Sequence, residues 1–251
     1  AGTPSARRRS SPTTKARGGR SGPHRCGIGK PPSLPGNAEE KKAQMETSQA
    51  VASILAKWNT NRPLYKFKTS YDEARETVFS RYEYNCALRG VLVRDEGIVR
   101  AYTDKAARWL TDASTRPWLF IIGPVGTGKS TLLRAVKNFI GTRGIMHSAL
   151  DINGYAKEDD PYYYREHILA GTDCPFLLLD DVGQETIEVK SYGNSINPFV
   201  EIVTKRYDWQ KPLAITSNLS LAEIGNRYGE RVADRVREMA EVITIKGNSY
   251  R

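Results

Sequence analysis

The sequence predicts an α/β domain with a parallel five-stranded sheet flanked by helices. Two observations indicate this fold class: short apolar runs alternate with helix-favouring stretches in the second half of the chain, and a glycine-rich loop follows the first of these runs. We place this domain at residues 98–251. The predicted strands are residues 118–122, 145–150, 176–180, 213–216 and 242–245.

The residues before this domain divide into two parts. Residues 1–37 are rich in Ser, Gly, Pro and Arg and contain no acidic residue, which predicts a disordered basic tail. This tail is either an electrostatic contact for DNA or a solvated linker. Residues 38–97 favour helix, so we expect a helical N-terminal extension that binds a partner protein.

Three helices are expected in and directly after this extension, at residues 38–58, 70–90 and 98–112. In the second of them, Val78, Tyr82 and Cys86 recur at a spacing of four residues. This spacing places the three side chains on one helix face and indicates packing rather than a binding site.

The composition limits the cellular compartment and the class of binding partner that we expect. The 251 residues carry a formal net charge of +10, which suggests a polyanionic partner, usually nucleic acid. The three cysteines share no CxxC spacing, which argues against a disulfide framework and a structural zinc site and favours a reducing cytoplasm. No apolar run approaches the roughly 18 residues that a membrane span needs, so we expect a cytoplasmic protein without a membrane partner.

The glycine-rich loop matches the phosphate-binding pattern G-x-x-x-x-G-K-[ST] in the sequence "GPVGTGKS". Its glycines allow backbone N–H groups to turn toward phosphate oxygens at the positive end of the next helix. Lys129 can reach the β- and γ-phosphates, and the Ser130 hydroxyl suits Mg²⁺. The predicted ATP-binding residues are Gly123, Pro124, Val125, Gly126, Thr127, Gly128, Lys129, Ser130 and Thr131.

Two acids end the strand in "FLLLDDVGQE". We expect Asp180 to hold Mg²⁺ through water and Asp181 to orient or deprotonate the water that attacks the γ-phosphate. Two alternatives stay open: one of the acids caps the next turn, or Glu185 is the carboxylate that polarises the water.

The fourth predicted strand ends in "ITSN", and the amide of Asn218 combines a donor with an acceptor. Asn218 is therefore expected to hydrogen-bond the γ-phosphate and the attacking water, with Thr216 and Ser217 able to share this contact. The alternative is that Asn218 caps the helix that starts near Ser220.

Arginines recur every four residues in "NRYGERVADRVREM", where Arg227, Arg231 and Arg235 would form one positive stripe on a helix. Like charges at this spacing cost about 0.2–0.5 kcal/mol per pair, so helix stability does not explain the stripe. An anion contacted by these arginines would explain it.

Taken in order, these segments resemble the AAA+ P-loop ATPases of the DnaC-like helicase-loader and IstB-like transposition-helper family. The resemblance covers roughly residues 90–251 and rests on "GPVGTGKST", "LLLDDVGQE", "LAITSN", "YGERVADRVREM" and the terminal "GNSYR". It implies that Asn218 is the sensor 1 residue and that Arg235 is the arginine finger. It also implies a ring or helical homo-oligomer with ATP between subunits, and no separate C-terminal lid.

In such an assembly Arg235 would reach the γ-phosphate of the next subunit, and Arg231 would assist it or contact nucleotide in its own subunit. The alternative is a structural ion-pair network with Asp234 and Glu238. Arg237 is expected to be a solvated or ion-paired surface residue.

The resemblance implies an ATP- and Mg²⁺-dependent accessory protein of DNA replication. As a helicase loader it would assemble on single-stranded DNA and contact a replicative helicase. One alternative is a transposition helper that assembles on duplex DNA and recruits a transposase, and another is an ATP-gated adaptor with little turnover. The run "YYYR" at residues 162–165 resembles a platform for base stacking, but two preceding aspartates favour packing of two of the tyrosines into the domain.

Overall fold

The computed structural model describes residues 41–42, 45–49, 65–93, 95–191 and 193–246. The chain divides into two units, Ala1–Trp58 and Asn59–Arg251. Residues 41–42 and 45–49 are helical. The predicted basic tail, most of the first predicted helix and the terminal "GNSYR" lie outside the described residues. Within the described residues, no helix has the length and apolar character that would let it cross a membrane.

The second unit contains the predicted alternation of strands and helices. The α-helices of six residues or more are α1 Tyr71–Ala87, α2 Glu96–Thr111, α3 Lys129–Ile140, α4 Ala149–Gly154, α5 Pro198–Asp208, α6 Leu221–Tyr228 and α7 Glu230–Met239. The strands are β1 Trp118–Ile122, β2 Gly144–Ser148, β3 Phe176–Val182, β4 Val189–Ser191, β5 Asn194–Ile196, β6 Leu213–Ser217 and β7 Ala240–Thr244. Two π-helical segments, Tyr155–Asp159 and Tyr164–Leu169, connect α4 to β3.

Five of the strands form one parallel sheet in the order β2-β3-β6-β1-β7, which confirms the predicted fold class. The second strand ends at Ser148, before residue 150, because Ser148 and Asp151 form a capping box that starts α4. The last strand begins at Ala240, directly after α7, two residues earlier than predicted. A short antiparallel hairpin of β4 and β5 was not predicted.

Both faces of the sheet are covered, which explains the continuous apolar runs. Leu119 and Ile121 of β1 pack in one cluster with α1, α2 and α3, whereas Trp118 and Phe120 pack in a second cluster with α5, α6 and α7. Successive residues of one strand thus enter opposite halves of the core. This arrangement holds the carboxyl ends of the strands together at one edge of the sheet.

Helix α1 belongs to the unit of the sheet and not to a separate N-terminal region. Its Val78, Tyr82 and Cys86 are buried in the cluster that contains Leu132 of α3, so the predicted packed face is confirmed. The predicted boundary at residues 97 and 98 therefore does not coincide with the division between Trp58 and Asn59. A partner-binding role for residues 38–97 stays a prediction.

Arg206 of α5 joins three parts of this fold. It is fully buried, and burial lowers the pKa of its guanidinium to about 9. Its Nη2 donates to the carbonyl of Ile168 at 2.8 Å, and its Nη1 donates to the carbonyls of Pro175 at 2.7 Å and Pro212 at 3.0 Å. One side chain thereby connects the second π-helical segment to the starts of β3 and β6.

We expect Arg206→Met to lower the free energy of unfolding by about 3 kcal/mol, because several buried carbonyl groups lose a charged donor. Urea denaturation measures this change. Lys205→Met is the matched control, since Lys205 is exposed on the same helix and its loss should cost less than about 0.5 kcal/mol. Equal stability of the two variants would contradict the role given to Arg206.

Candidate nucleotide site

A cavity of about 480 Å³ lies at the carboxyl ends of β1, β3 and β6. Open α/β sheets bind their ligands at this edge. A second cavity of about 380 Å³ is lined by Trp109, Arg116 and Pro212, next to the starts of β1 and β6, and contains none of the predicted site residues. The first cavity is lined by Tyr82, Cys86, Arg89, Val91, Val125, Gly126, Gly128, Lys129, Ser130, Thr131, Asp181, Gln184 and Asn218.

The backbone of the phosphate-binding loop depends on its glycines. Gly126 and Gly128 have φ values of 82° and 94°, in the left-handed region that favours glycine. A Cβ atom at Gly128 would also overlap the Tyr82 hydroxyl, and one at Gly123 would overlap the carbonyl of Ile245. Gly128 precedes α3 without a side-chain cap, so the first N–H groups of this helix face the loop.

Lys129 and Asn218, predicted from separate motifs, are in direct contact. Lys129 is 5% exposed, and its Nζ donates to the Asn218 Oδ1 at 2.5 Å and to the carbonyls of Gly123 and Pro124 at 2.8 and 2.7 Å. An ammonium group has three donors, so a phosphate oxygen bound here would have to replace at least one of these acceptors. The ammonium of Lys129 therefore lies where the loop and β6 meet.

The two acids at the end of β3 have different environments. Asp180 is 7% exposed, and its Oδ1 accepts a hydrogen bond from Thr216 at 2.6 Å. Its Oδ2 lies 3.9 Å from Nη2 of Arg134, a cation that the sequence motifs did not indicate. Asp181 is exposed and lines the cavity. The structure thus directs only the second acid into the open space.

Oxygen ligands suited to Mg²⁺ are present at this position. Ser130 lines the cavity from the first turn of α3, and Asp180 lies at the adjoining end of β3. A hydroxyl and a carboxylate are hard ligands of the kind that Mg²⁺ prefers, and a nucleotide-bound Mg²⁺ takes most of its other ligands from phosphate and water. In the part of the chain that the structure describes, no group of three or more His, Cys, Asp or Glu could hold a metal alone.

Glu185 does not line the cavity. It is 4% exposed, and its carboxylate accepts hydrogen bonds from the Gly183 N–H at 2.8 Å and from the Tyr228 hydroxyl. Burial, followed by this hydrogen bond with Glu185, raises the pKa of Tyr228 above its ordinary value. Because both of its oxygens are used inside the protein, Glu185 connects the end of β3 to α6 instead of facing a water above the phosphate loop.

The contacts around Asn218 decide two questions that the sequence left open: whether Asn218 caps the next helix, and whether Thr216 and Ser217 share its proposed contact. Ser220 caps α6 through a capping box with Glu223, so Asn218 is not the cap of this helix. Thr216 and Ser217 are fully buried and do not line the cavity, because their hydroxyls bond to β3 and to the start of the next loop. Asn218 alone of the "TSN" residues reaches the cavity.

The arginine stripe is interrupted. Gly229 has a φ of 98° and separates α6 from α7, so Arg227 lies on a different helix from Arg231 and Arg235. The prediction of one continuous stripe is therefore wrong. Arg227 donates to the carbonyl of Glu185 and does not line the cavity.

Arg235 contacts α5 of its own chain. Its Nη1 donates to the Thr204 hydroxyl at 2.7 Å, its Nη2 lies 3.7 Å from Asp208, and its guanidinium lies over the Tyr207 ring. The alternative network with Asp234 and Glu238 is not formed. Those acids contact Arg237 and Tyr207 instead.

The other two arginines of α7 lie at the surface. Arg231 is exposed one turn before Arg235. Arg237 is half-exposed and forms ion pairs with Asp234 and Glu230, which confirms the prediction of an ion-paired surface residue. Arg231 is thus more accessible to another molecule than Arg235.

One wall of the cavity comes from residues that the motifs did not indicate. Tyr82 and Cys86 of α1, with Arg89 and Val91 just after this helix, line the side next to the phosphate loop. Burial raises the pKa of the Cys86 thiol. The four-residue spacing of Tyr82 and Cys86 was the available signal, but it indicated only a packed helix face.

The tyrosine run after α4 is mainly structural. Tyr164 is buried and donates to Glu201 at 2.8 Å, and the Tyr163 hydroxyl lies 2.9 Å from Nε2 of His147. Tyr162 is 65% exposed. The predicted packing of two of these tyrosines is confirmed.

Comparison with known proteins identifies a similar group. No family model matches the chain. Over 160 residues it is 29% identical to the replicative helicase loader DnaC of Escherichia coli K12, a match that covers 61% of this chain and 63% of that protein. The DnaC of Shigella flexneri matches to the same extent. This is a similarity to replicative helicase loaders over part of the chain. The match spans about 63% of the length of these relatives.

Solved structures of DnaC, DnaI and DnaA also align with this chain. A crystal structure of the DnaC helicase loader aligns with a TM-score of 0.40 and 28% identity, covering 51% of this chain and 78% of that one. A structure of DnaI aligns with a TM-score of 0.48 and 22% identity, covering 65% of this chain and 89% of that one. A structure of AMPPCP-bound DnaA from Aquifex aeolicus aligns with a TM-score of 0.42 and 24% identity, covering 62% of this chain and 49% of that one.

Proposed function

We propose that this chain is an ATP-hydrolysing helicase loader that assembles on single-stranded DNA and contacts a replicative helicase. The observation that carries the ATPase proposal is the convergence of Lys129, Ser130, Asp181 and Asn218, from three strand ends, on one cavity. The similarity to DnaC, a replicative helicase loader, supports the proposed role in replication. The net charge of +10 supports a nucleic-acid partner.

The cavity has a phosphate side and a base side. The triphosphate would lie on the loop N–H groups and Lys129, with its γ-phosphate next to Asn218. The base and ribose would then extend along Tyr82, Arg89 and Val91, which line the cavity beside the phosphate loop. A tyrosine and an aliphatic side chain beside a cation suit a purine.

Hydrolysis in this arrangement needs an oriented water and stabilisation of phosphoryl charge. Asp181 would accept a hydrogen bond from the attacking water, and Asn218 would hold both the water and a γ-phosphate oxygen. Mg²⁺, when held by Ser130 and Asp180, would supply charge neutralisation between the β- and γ-phosphates. The chain's own residues thereby position the water and the phosphoryl group.

The remaining positive charge would come from a neighbouring copy in a ring or helical homo-oligomer. Arg235 would act in trans as the arginine finger, with Arg231 beside it. For this purpose Arg235 has to exchange Thr204 and Asp208 for the phosphate of the neighbour. Assembly and catalysis would then be coupled, because the finger changes partners only at the subunit interface.

We expect Arg89→Ala to weaken ATP binding about fivefold, equivalent to about 1 kcal/mol, because Arg89 borders the proposed base side. Titration with a fluorescent ATP analogue measures this effect. Arg81→Ala is the control, since Arg81 is exposed on α1 and does not line the cavity. The same affinity for wild type and Arg89→Ala would place the base elsewhere.

The proposed function is tested by measuring ATP turnover with single-stranded DNA, with duplex DNA and without DNA. Stimulation by single-stranded DNA, together with co-purification of a hexameric replicative helicase, is the expected result. Stimulation by duplex DNA alone, with a transposase co-purifying, would favour the transposition-helper alternative. ATP binding without turnover under any condition would favour an adaptor and overturn the ATPase proposal.

A further inference from the structure

The two acids at the end of β3 stand at a β-bulge. Leu179 pairs with Ile215 of β6, and Val182 pairs with Ser217, so Asp180 and Asp181 together lie opposite Thr216. Asp181 has a φ of 58°, in the left-handed region. Bulges of this kind bend a strand and redirect a side chain. At this bulge Asp180 is buried and Asp181 lines the cavity.

One hydroxyl group contacts both acids of the bulge. The Thr216 Oγ1 accepts a hydrogen bond from the backbone N–H of Asp181 at 2.9 Å and donates one to the Asp180 Oδ1 at 2.6 Å. Thr216 is fully buried, so water does not compete for these bonds. The bulge takes the Asp181 N–H out of the hydrogen-bond ladder of the sheet, and this N–H is bonded to the Thr216 side chain instead.

We propose that Thr216 is a positioning residue for ATP hydrolysis, because its hydroxyl orients the Asp180 carboxylate and holds the backbone that directs Asp181 into the cavity. This inference rests on the proposed ATPase function and adds a residue to it. Thr216 does not line the cavity and would not touch the nucleotide. It would act through the two acids.

The environment of Asp180 makes this contact important for its orientation. Its second oxygen lies 3.9 Å from Arg134, which is beyond hydrogen-bond distance. The short bond from Thr216 is therefore the directional contact on this carboxylate, whereas Arg134 provides charge. Without the hydroxyl, Asp180 would rotate toward Arg134, and the Asp181 N–H would be buried without this acceptor.

Four side chains at position 216 separate the hydroxyl from the size of the residue. Wild-type Thr216 and Thr216→Ser carry the hydroxyl, whereas Thr216→Val and Thr216→Ala do not. Thr and Val have the same shape, and Ser and Ala differ from each other only by the oxygen. If Thr216→Val fails to fold, the Ser and Ala variants still form a matched pair, and thermal melting shows which variants are folded.

The expected result is that kcat follows the hydroxyl. Thr216→Val and Thr216→Ala should lose about 100-fold in kcat, and Thr216→Ser should stay close to wild type, because displacement of a catalytic group by about 1 Å has an effect of this size. ATP affinity in EDTA should stay within about threefold in all four proteins, since Lys129 and the loop are unchanged. The gain in ATP affinity on adding Mg²⁺ should shrink in the two variants without the hydroxyl.

If kcat depended on side-chain size, so that Thr216→Val turned over ATP as fast as the wild-type protein, the role of Thr216 would be overturned and the ATPase proposal would stay intact. Equal turnover of folded Ser and Ala variants would overturn it in the same way. Absence of turnover in the wild-type protein would overturn the proposed ATPase function and this inference together. The wild-type measurement therefore separates the two failures.

Discussion

Lys129→Ala is expected to weaken ATP binding at least about 100-fold, because a charged donor to the β- and γ-phosphates is lost. Lys129 is the buried cation of the cavity that contacts both the phosphate loop and the sensor candidate Asn218. Isothermal titration with ATP measures the loss. Turnover should fall with binding at moderate ATP concentration.

The control for this prediction is Lys137→Ala on the same helix. Lys137 donates to the carbonyl of Gly141 at the other end of α3 and does not line the cavity. Its removal should leave ATP affinity within about twofold of wild type. Wild-type affinity in a folded Lys129→Ala protein would show that nucleotide does not bind at this loop.

Arg235→Ala is expected to retain ATP binding and to lose about 10³-fold in DNA-stimulated turnover, the lower end of the range for arginine fingers. Binding should persist because Arg235 does not line the cavity of its own chain. Steady-state phosphate release and ATP titration of the same preparation measure the two properties. Arg237→Ala is the control on the same helix, since Arg237 is half-exposed and ion-paired at the surface.

Arg235 also contacts α5, so a loss of turnover has a second explanation in altered packing. Thr204→Val and Asp208→Asn remove these contacts while keeping the arginine. We expect both variants to retain turnover, because the proposed finger is still present and only its contacts within the chain are weakened. A loss in these variants equal to that of Arg235→Ala would assign Arg235 a structural role.

Much of the fold could be predicted from local sequence patterns. The five apolar runs became the five strands of the sheet, and the three central ones, β3, β6 and β1, are buried on both faces, which leaves a continuous apolar signal. Lys129 and Asn218 could be predicted to meet because each follows the carboxyl end of a parallel strand. Motifs that end strands of one parallel sheet converge at one edge.

The features that local patterns did not predict depend on tertiary contacts. The bulge at Asp180 and Asp181 arises from the register between β3 and β6, which are separated by the whole of α5 along the chain. Arg235 contacts Thr204 only because α5 and α7 pack side by side. The division at Gly229 was visible as a glycine within a helical pattern, but the pattern alone did not show that the helix would end there.

The most direct test of ATP hydrolysis between subunits mixes two inactive variants. Arg235→Ala keeps its own nucleotide cavity, and Asp181→Asn keeps the arginine. We predict that each protein alone has little DNA-stimulated turnover and that an equimolar mixture regains a substantial fraction of wild-type activity, because mixed interfaces contain one complete site. A mixture that is no more active than the separate proteins, despite co-assembly on single-stranded DNA, would contradict the account.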